Sequence, residues 1–205
     1  MIVVDIETSG GDYEKCGIWQ IGAVDLDNPE NTFLEEARLE DEYEIVGAIN
    51  MDSPRPVLEV IGKTEEELRD KNKQSEKELI KNFLRWCESV KVRNLICHHP
   101  QFDYSFIYFK AIKYGLKPTF FHRALDIQSI AHAKYAEIHG KLLIKGDHIG
   151  LGLKEVLALV GMKDERGAHN ALEDAKLEAE CFSRLVYGKG LLKEYQTFSI
   201  PDYLR

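Results

Sequence analysis

The sequence predicts an α/β domain, and three observations carry that expectation. An apolar run at 2–7 reads as a strand that begins almost at the first residue. Through the second half, strand-like segments alternate with helix-like ones. With 205 residues and 44% apolar content, the chain can bury one ordinary core.

The elements follow in order. Ser9-Gly10-Gly11 connects the first strand to a second over 18–26, and 32–39 reads as a third, in an antiparallel meander. Residues 40–56 lack periodicity and end in Pro54 and Pro56, which predicts a surface loop. Thr64 opens a helix through a capping box with Glu67, and Leu79, Ile80, Phe83, Leu84 and Cys87 form an apolar helical stripe. Residues 93–97 read as a short strand. Phe102, Phe106 and Phe109 mark the face of a helix stopped by Gly115, with Phe106 and Phe109 assigned to the core. A strand near Ala124 and Leu125 leads into a helix carrying Ala131, Ala133 and Ala136, for which Asp126 reads as the N-cap. A polar, Gly-punctuated loop over 140–152 precedes helices at 153–160 and 171–186. No repeat, low-complexity tract or linker interrupts this order. One domain is expected over 1–205, with a core to about 187 and a short extension over 188–205.

Composition narrows the functional classes. No apolar stretch reaches the roughly 20 residues of a membrane helix, and the immediate strand leaves no room for a signal peptide. Cys16, Cys87, Cys97 and Cys181 show no zinc-like spacing and read as reduced thiols of a cytoplasmic protein. A net charge of −8 argues against phosphate binding across a broad basic surface. An enzyme that meets nucleic acid through metal ions at one end remains compatible with it.

Strand side chains alternate faces, so Asp5 and Glu7 point the same way. Two carboxylates on a core strand are costly unless a cation neutralises them, and all-oxygen ligation favours magnesium or manganese. Downstream, His98-His99-Pro100-Gln101-Phe102-Asp103 sets a carboxylate just past the 93–97 strand, and His169 precedes Asp174 by five residues. Five residues fall about 140° off face in a regular helix. His169 and Asp174 therefore converge only if the histidine lies outside the helix. Asn170 as N-cap, with Glu173 as a capping-box-like partner, leaves His169 on a lead-in beside Gly167 and Asp174 facing the site.

Asp5-x-Glu7, Phe102-Asp103 and His169 with Asp174 resemble, in order, the three motifs of the DEDDh family. These are the DnaQ-like 3′–5′ exonucleases of the ribonuclease H-like superfamily. The tyrosine-bearing sister subtype has Tyr where this chain has Asn170. Ile18-x-Gln20-Ile21-Gly22 is similar to the family's second strand, and Ile61-Gly62-Lys63-Thr64 to a Gly-Ile-Thr turn that opens a helix. One departure is His99, where the family usually has Asn. An imidazole there can support the backbone, touch substrate or become an extra ligand.

The resemblance implies a mixed five-stranded sheet flanked by helices, and two magnesium or manganese ions about 3.5–4 Å apart. Asp5 would bridge both ions, Glu7 and Asp174 would hold the one beside the attacking water, and Asp103 would place the other. His169 would be the general base, since an ordinary imidazole, with a pKa of about 6.5, can accept a proton near neutrality. Thr8 and Ser9, with Gly10 and Gly11, would wall the terminal-nucleoside pocket, and His99 and Phe102 would meet substrate. Tyr13 and Trp19 are weaker stacking candidates. His98, His122, His132, His139 and His148 read as surface or structural, and Lys71, Lys73, Lys77 and Lys81 as a solvated face. The implied partners are single-stranded DNA or RNA 3′ ends, with a polymerase or other replication, repair or RNA-processing machinery compatible. The competing reading is a catalytically silent nucleic-acid-binding or polymerase-associated module of the same fold. Four clustered acids that repel phosphate without metal argue against it.

Overall fold

The computed structural model describes residues 1–205 except 47–56, Arg166, Ala168 and His169, and except the side chains of Val57 and Val60. His169 and the latter part of the expected 40–56 loop thus lie outside the described residues. Strands β1 (Ile2–Thr8), β2 (Ile18–Asp25) and β3 (Thr32–Glu36) form the expected antiparallel meander. On the other side of β1, β4 (Asn94–Cys97) and β5 (Phe121–Asp126) pair in parallel, giving the order β3-β2-β1-β4-β5.

Helices cover both faces: α1 (Val57–Ile61), α2 (Glu65–Leu68), α3 (Glu76–Cys87), α4 (Pro100–Lys113), α5 (Ile127–His139), α6 (Leu153–Leu159) and α7 (Ala171–Tyr187). The Thr64–Glu67 capping box is present, yet its helix lasts one turn, and Ser75 caps α3 separately. The loop expected over 140–152 contains a small hairpin, β6 (Ile144–Lys145) and β7 (His148–Ile149). Asp126 accepts the Gln128 and Ser129 N–H groups, as an N-cap should. No described helix is long and apolar enough to cross a membrane.

The period of two along β1 decides which layer each residue enters. Ile2, Val4 and Ile6 pack with Leu79, Phe83, Phe106 and Ile107 of α3 and α4. Val3 faces the opposite layer, with Val156 of α6 and Phe182 of α7. Asp5 and Glu7 share the Val3 face and so lie beneath α7. Two aromatic expectations need correction. Phe109 is 45% exposed and stacks on Tyr13 at 4.3 Å, because α4 turns that position away from the sheet. Trp19 is fully buried among Leu39, Tyr43, Ile61 and Leu68, so it is unavailable for stacking on a base.

The seating of α7 depends on β2. Gly22 lies opposite Asp5 in the antiparallel register, and Gln20 opposite Glu7, so both face α7. A Cβ on Gly22 would sit 2.1 Å from the Ala171 carbonyl carbon and from the Leu172 nitrogen, closer than packed atoms approach. Gln20 Oε1 accepts the Ala171 N–H at 2.8 Å, satisfying a helix-end donor, and Gln20 Nε2 donates to Glu36 Oε1 at 3.0 Å. Farther along α7, buried Arg184 pairs with Glu180 and donates to the carbonyls of Val160, Tyr195 and Phe198, fastening the final segment.

Gly22→Ala should displace the α7 N-terminus and cost roughly 1–3 kcal/mol, the range for overpacking a filled site. Urea unfolding measures it. A change below about 0.5 kcal/mol would mean that α7 is not held against the sheet at this point.

Candidate active site

Carboxylate oxygens of Asp5, Glu7 and Asp174 lie within 4.8 Å of one another. Glu7 and Asp174 are 8% and 3% exposed, and Asp5 is partly buried. Asp174 reaches the strand pair because Asn170 caps α7, its side chain accepting the Leu172 and Glu173 N–H groups. The Glu173 side chain pairs with Lys176. An acid at a helix N-terminus is favoured by the helix dipole, which offsets part of the repulsion here.

The fourth expected acid arrives on α4. Asp103 is buried, and loss of water pushes its carboxyl up to about 7, opposed by the backbone N–H groups of Asp103 and Ile6. Those amides place its carboxylate beside β1. Asp5 is held well above the ordinary carboxylate range, first by burial and then by the negative charges of Glu178, Glu7, Asp103 and Asp174. Glu178 was not singled out in the sequence. It is 3% exposed and one turn beyond Asp174 on α7, where the i, i+4 spacing was the available signal.

The β4–α4 turn is unusual. His99 occupies the left-handed region (φ 92°, ψ 59°) immediately before Pro100, and no side chain caps α4. Its side chain is exposed, while His98 is half-buried and its Nε2–H donates to the Leu151 carbonyl at 3.1 Å. Burial, the first cause, lowers the His98 pKa. Phe102 is half-buried against Phe106. Thr8 donates to the Gly10 carbonyl at 2.6 Å, and fully buried Ser9 donates to the Glu44 carbonyl while accepting the Gly17 N–H. Both hydroxyls therefore shape the loop after β1 internally. Among the other histidines, His132 is buried against the Gly150 carbonyl. Lys73 binds Glu36 at 2.7 Å in the turn before α3, which corrects its assignment to a solvated helix face.

The donors fit a hard divalent cation. Three carboxylates converge within one ion's reach, all offer oxygen, and the charge gathered around Asp5 is what such an ion would neutralise.

The family model RNase_T, described as an exonuclease, matches residues 2–182, and the chain belongs to this family. Its five-stranded sheet, in the order β3-β2-β1-β4-β5 with helices on both faces, has the ribonuclease H-like exonuclease fold. Among solved structures, the chain is similar to the nuclease domain of 3′hExo, a DEDDh family member bound to rAMP. Identity there is 16% and the TM-score 0.64, over 94% of each chain. It is also similar to the zinc-bound exonuclease I–ssDNA complex of E. coli (16% identity, TM-score 0.68, 91% of this chain and 40% of that one). Exonuclease I of Methylocaldum szegediense gives 16% identity and a TM-score of 0.67, over 92% and 41%. The chain thus spans about 40% of the length of these two exonuclease I chains. No match was found among curated protein sequences.

A carboxyl raised to about 7 from an ordinary 3.8 keeps its proton in the folded chain across that window, while the unfolded chain has lost it. Its contribution to metal-free stability therefore falls as pH rises from about 4 to about 7. His98, whose pKa burial lowers, contributes with the opposite sign, so the comparison with Asp103→Asn isolates the carboxyl. In EDTA, that variant should gain stability over the wild type as pH rises from 4 to 8. Thermal unfolding at stepped pH checks this, and a constant difference would contradict the buried-acid assignment.

Proposed function

We propose that this protein is a metal-dependent 3′–5′ exonuclease that hydrolyses single-stranded nucleic acid ends to nucleoside 5′-monophosphates. The observation that carries the reading is the convergence of Asp5, Glu7 and Asp174 within 4.8 Å, beside buried Asp103, in a chain of an exonuclease family. Similar solved structures are bound to rAMP or ssDNA, which supports a nucleic-acid substrate. Asp5, Glu7, Asp103 and Asp174 would hold two magnesium or manganese ions, whose chemistry is to activate water and neutralise charge on the phosphate and leaving oxygen.

The chain's own residues do the rest. Asp5, on which the charges of Glu7, Asp103 and Asp174 all act, is the shared ligand of the assignment. His169 takes the proton from water as the general base, a role resting on its motif position. The loop after β1, stiffened by the Thr8 and Ser9 hydroxyls, walls the pocket for the 3′-terminal nucleoside. Phe102 and exposed His99 would meet the substrate from the α4 side. Chain 1–205 acts as one domain, on strands of DNA or RNA, alone or beside a polymerase or processing machinery. Four buried free cysteines support a reducing compartment, the cytoplasm.

End-labelled DNA, RNA and short oligomers incubated with magnesium test the reading. Shortening should start at the 3′ end, a 3′-phosphate should block it, a 5′ block should not, and circular strands should survive. Asp5→Ala, Asp103→Ala and Asp174→Ala should each abolish most activity. His169→Ala should lower turnover by roughly 10²–10⁴ and leave metal affinity intact. Cleavage of circles, or near wild-type turnover in Asp5→Ala, would overturn the assignment.

A further inference from the structure

Glu178 presents a physical difficulty. It is 3% exposed, and of the charges around Asp5 it contributes the largest repulsion. A buried carboxylate in such company is unfavourable unless it makes a hydrogen bond that the structure needs. Its Oε2 makes one, accepting the backbone N–H of His98 at 3.1 Å across 80 residues of sequence.

That amide occupies a demanding place. Cys97 ends β4, so the His98 N–H follows the end of the strand. Within three residues the chain must turn into α4, which carries Asp103. His99 makes the turn in a left-handed conformation that a residue with a Cβ adopts at a cost. Pro100 has no N–H to contribute, and no side chain caps the helix. The turn is fastened through His98 at two points, its ring on the Leu151 carbonyl and its amide on Glu178. Of these, Glu178 belongs to the helix that bears Asp174. Four residues along a helix advance about 6 Å and turn about 40° off face, so Asp174 and Glu178 project from one side of α7.

We propose that Glu178 is a positioning residue of this active site, whose carboxylate oxygen holds the β4–α4 turn, and with it Asp103, in register with Asp174. The inference rests on the nuclease reading of the same site and adds to it the element that joins its two halves. Among the acids described, Asp103 comes from the α4 side of the sheet and Asp174 from the α7 side. Glu178 spans that divide directly.

The test separates the hydrogen bond from the charge. Glu178→Gln keeps an acceptor oxygen and removes the charge, whereas Glu178→Leu fills the space with no acceptor. Amide hydrogen exchange, followed by NMR in metal-free buffer, reads the contact without reference to activity. In the wild type the His98 amide should be protected like those within β4, although it follows the strand's end. In Glu178→Leu its exchange should accelerate by at least about tenfold over the other β4 amides, and in Glu178→Gln it should stay near the wild-type rate. At saturating magnesium, Glu178→Leu should lower turnover on a labelled oligonucleotide by roughly 10–100-fold, the effect of a small misplacement. Glu178→Gln should remain within about threefold. An unprotected His98 amide in the wild type would overturn the proposal, and that measurement stands even if Glu178→Leu fails to fold. Equal losses of protection in the Gln and Leu variants, or none in either, would also overturn it. A wild-type chain that cuts no nucleic acid would end the nuclease reading, while the exchange comparison would still decide the role of Glu178.

Discussion

At Gly22 the backbone of α7 occupies the space where any other residue would place its Cβ, 2.1 Å from the Ala171 carbonyl carbon. That approach sets the depth at which the helix meets the sheet. Gln20, two residues earlier on the same face, sets the helix end by accepting the Ala171 N–H. With the first turn pinned, Asp174 has little freedom but to face Asp5 and Glu7. The carboxylate cluster is thus a consequence of strand register and helix docking, with each acid delivered by an element whose apolar residues are packed elsewhere in the core.

The same geometry carries an electrostatic cost. Asp5 is held well above its ordinary pKa by burial and by four neighbouring acids, and Asp103 is pushed up to about 7. Part of this is offset by the α7 dipole near Asp174, by amides near Asp103, and by the His98 N–H on Glu178. A divalent cation would neutralise the remainder, so ion binding and stability are expected to be coupled. The net charge of −8 fits this arrangement, since nucleic acid would be engaged at one metal-bearing end.

Much of this was legible in the chain because the signals are local. Alternation along 2–7 placed Asp5 and Glu7 on one face, the five-residue spacing required a helix start between His169 and Asp174, and Asn170 and Asp126 cap as their chemistry predicts. What escaped depends on contacts distant in sequence. The Gln20 oxygen meets an amide 151 residues away, and Glu178 meets one 80 residues away. Trp19 reads from its position as available to substrate, but Leu39, Tyr43 and Leu68 bury it. Phe109 fits the apolar helical spacing yet lies on the solvent side of α4, stacked on Tyr13. The β6–β7 hairpin has two residues per strand, too few to register as alternation.

On the proposed reading, four acids from β1, α4 and α7 would hold two divalent ions. A crystal of the protein soaked with manganese, with anomalous scattering recorded, tests it most directly. Two manganese peaks about 3.5–4 Å apart are expected, one among Asp5, Glu7 and Asp174 and one between Asp5 and Asp103. Manganese found elsewhere on the molecule, with none at Asp5, would contradict the account.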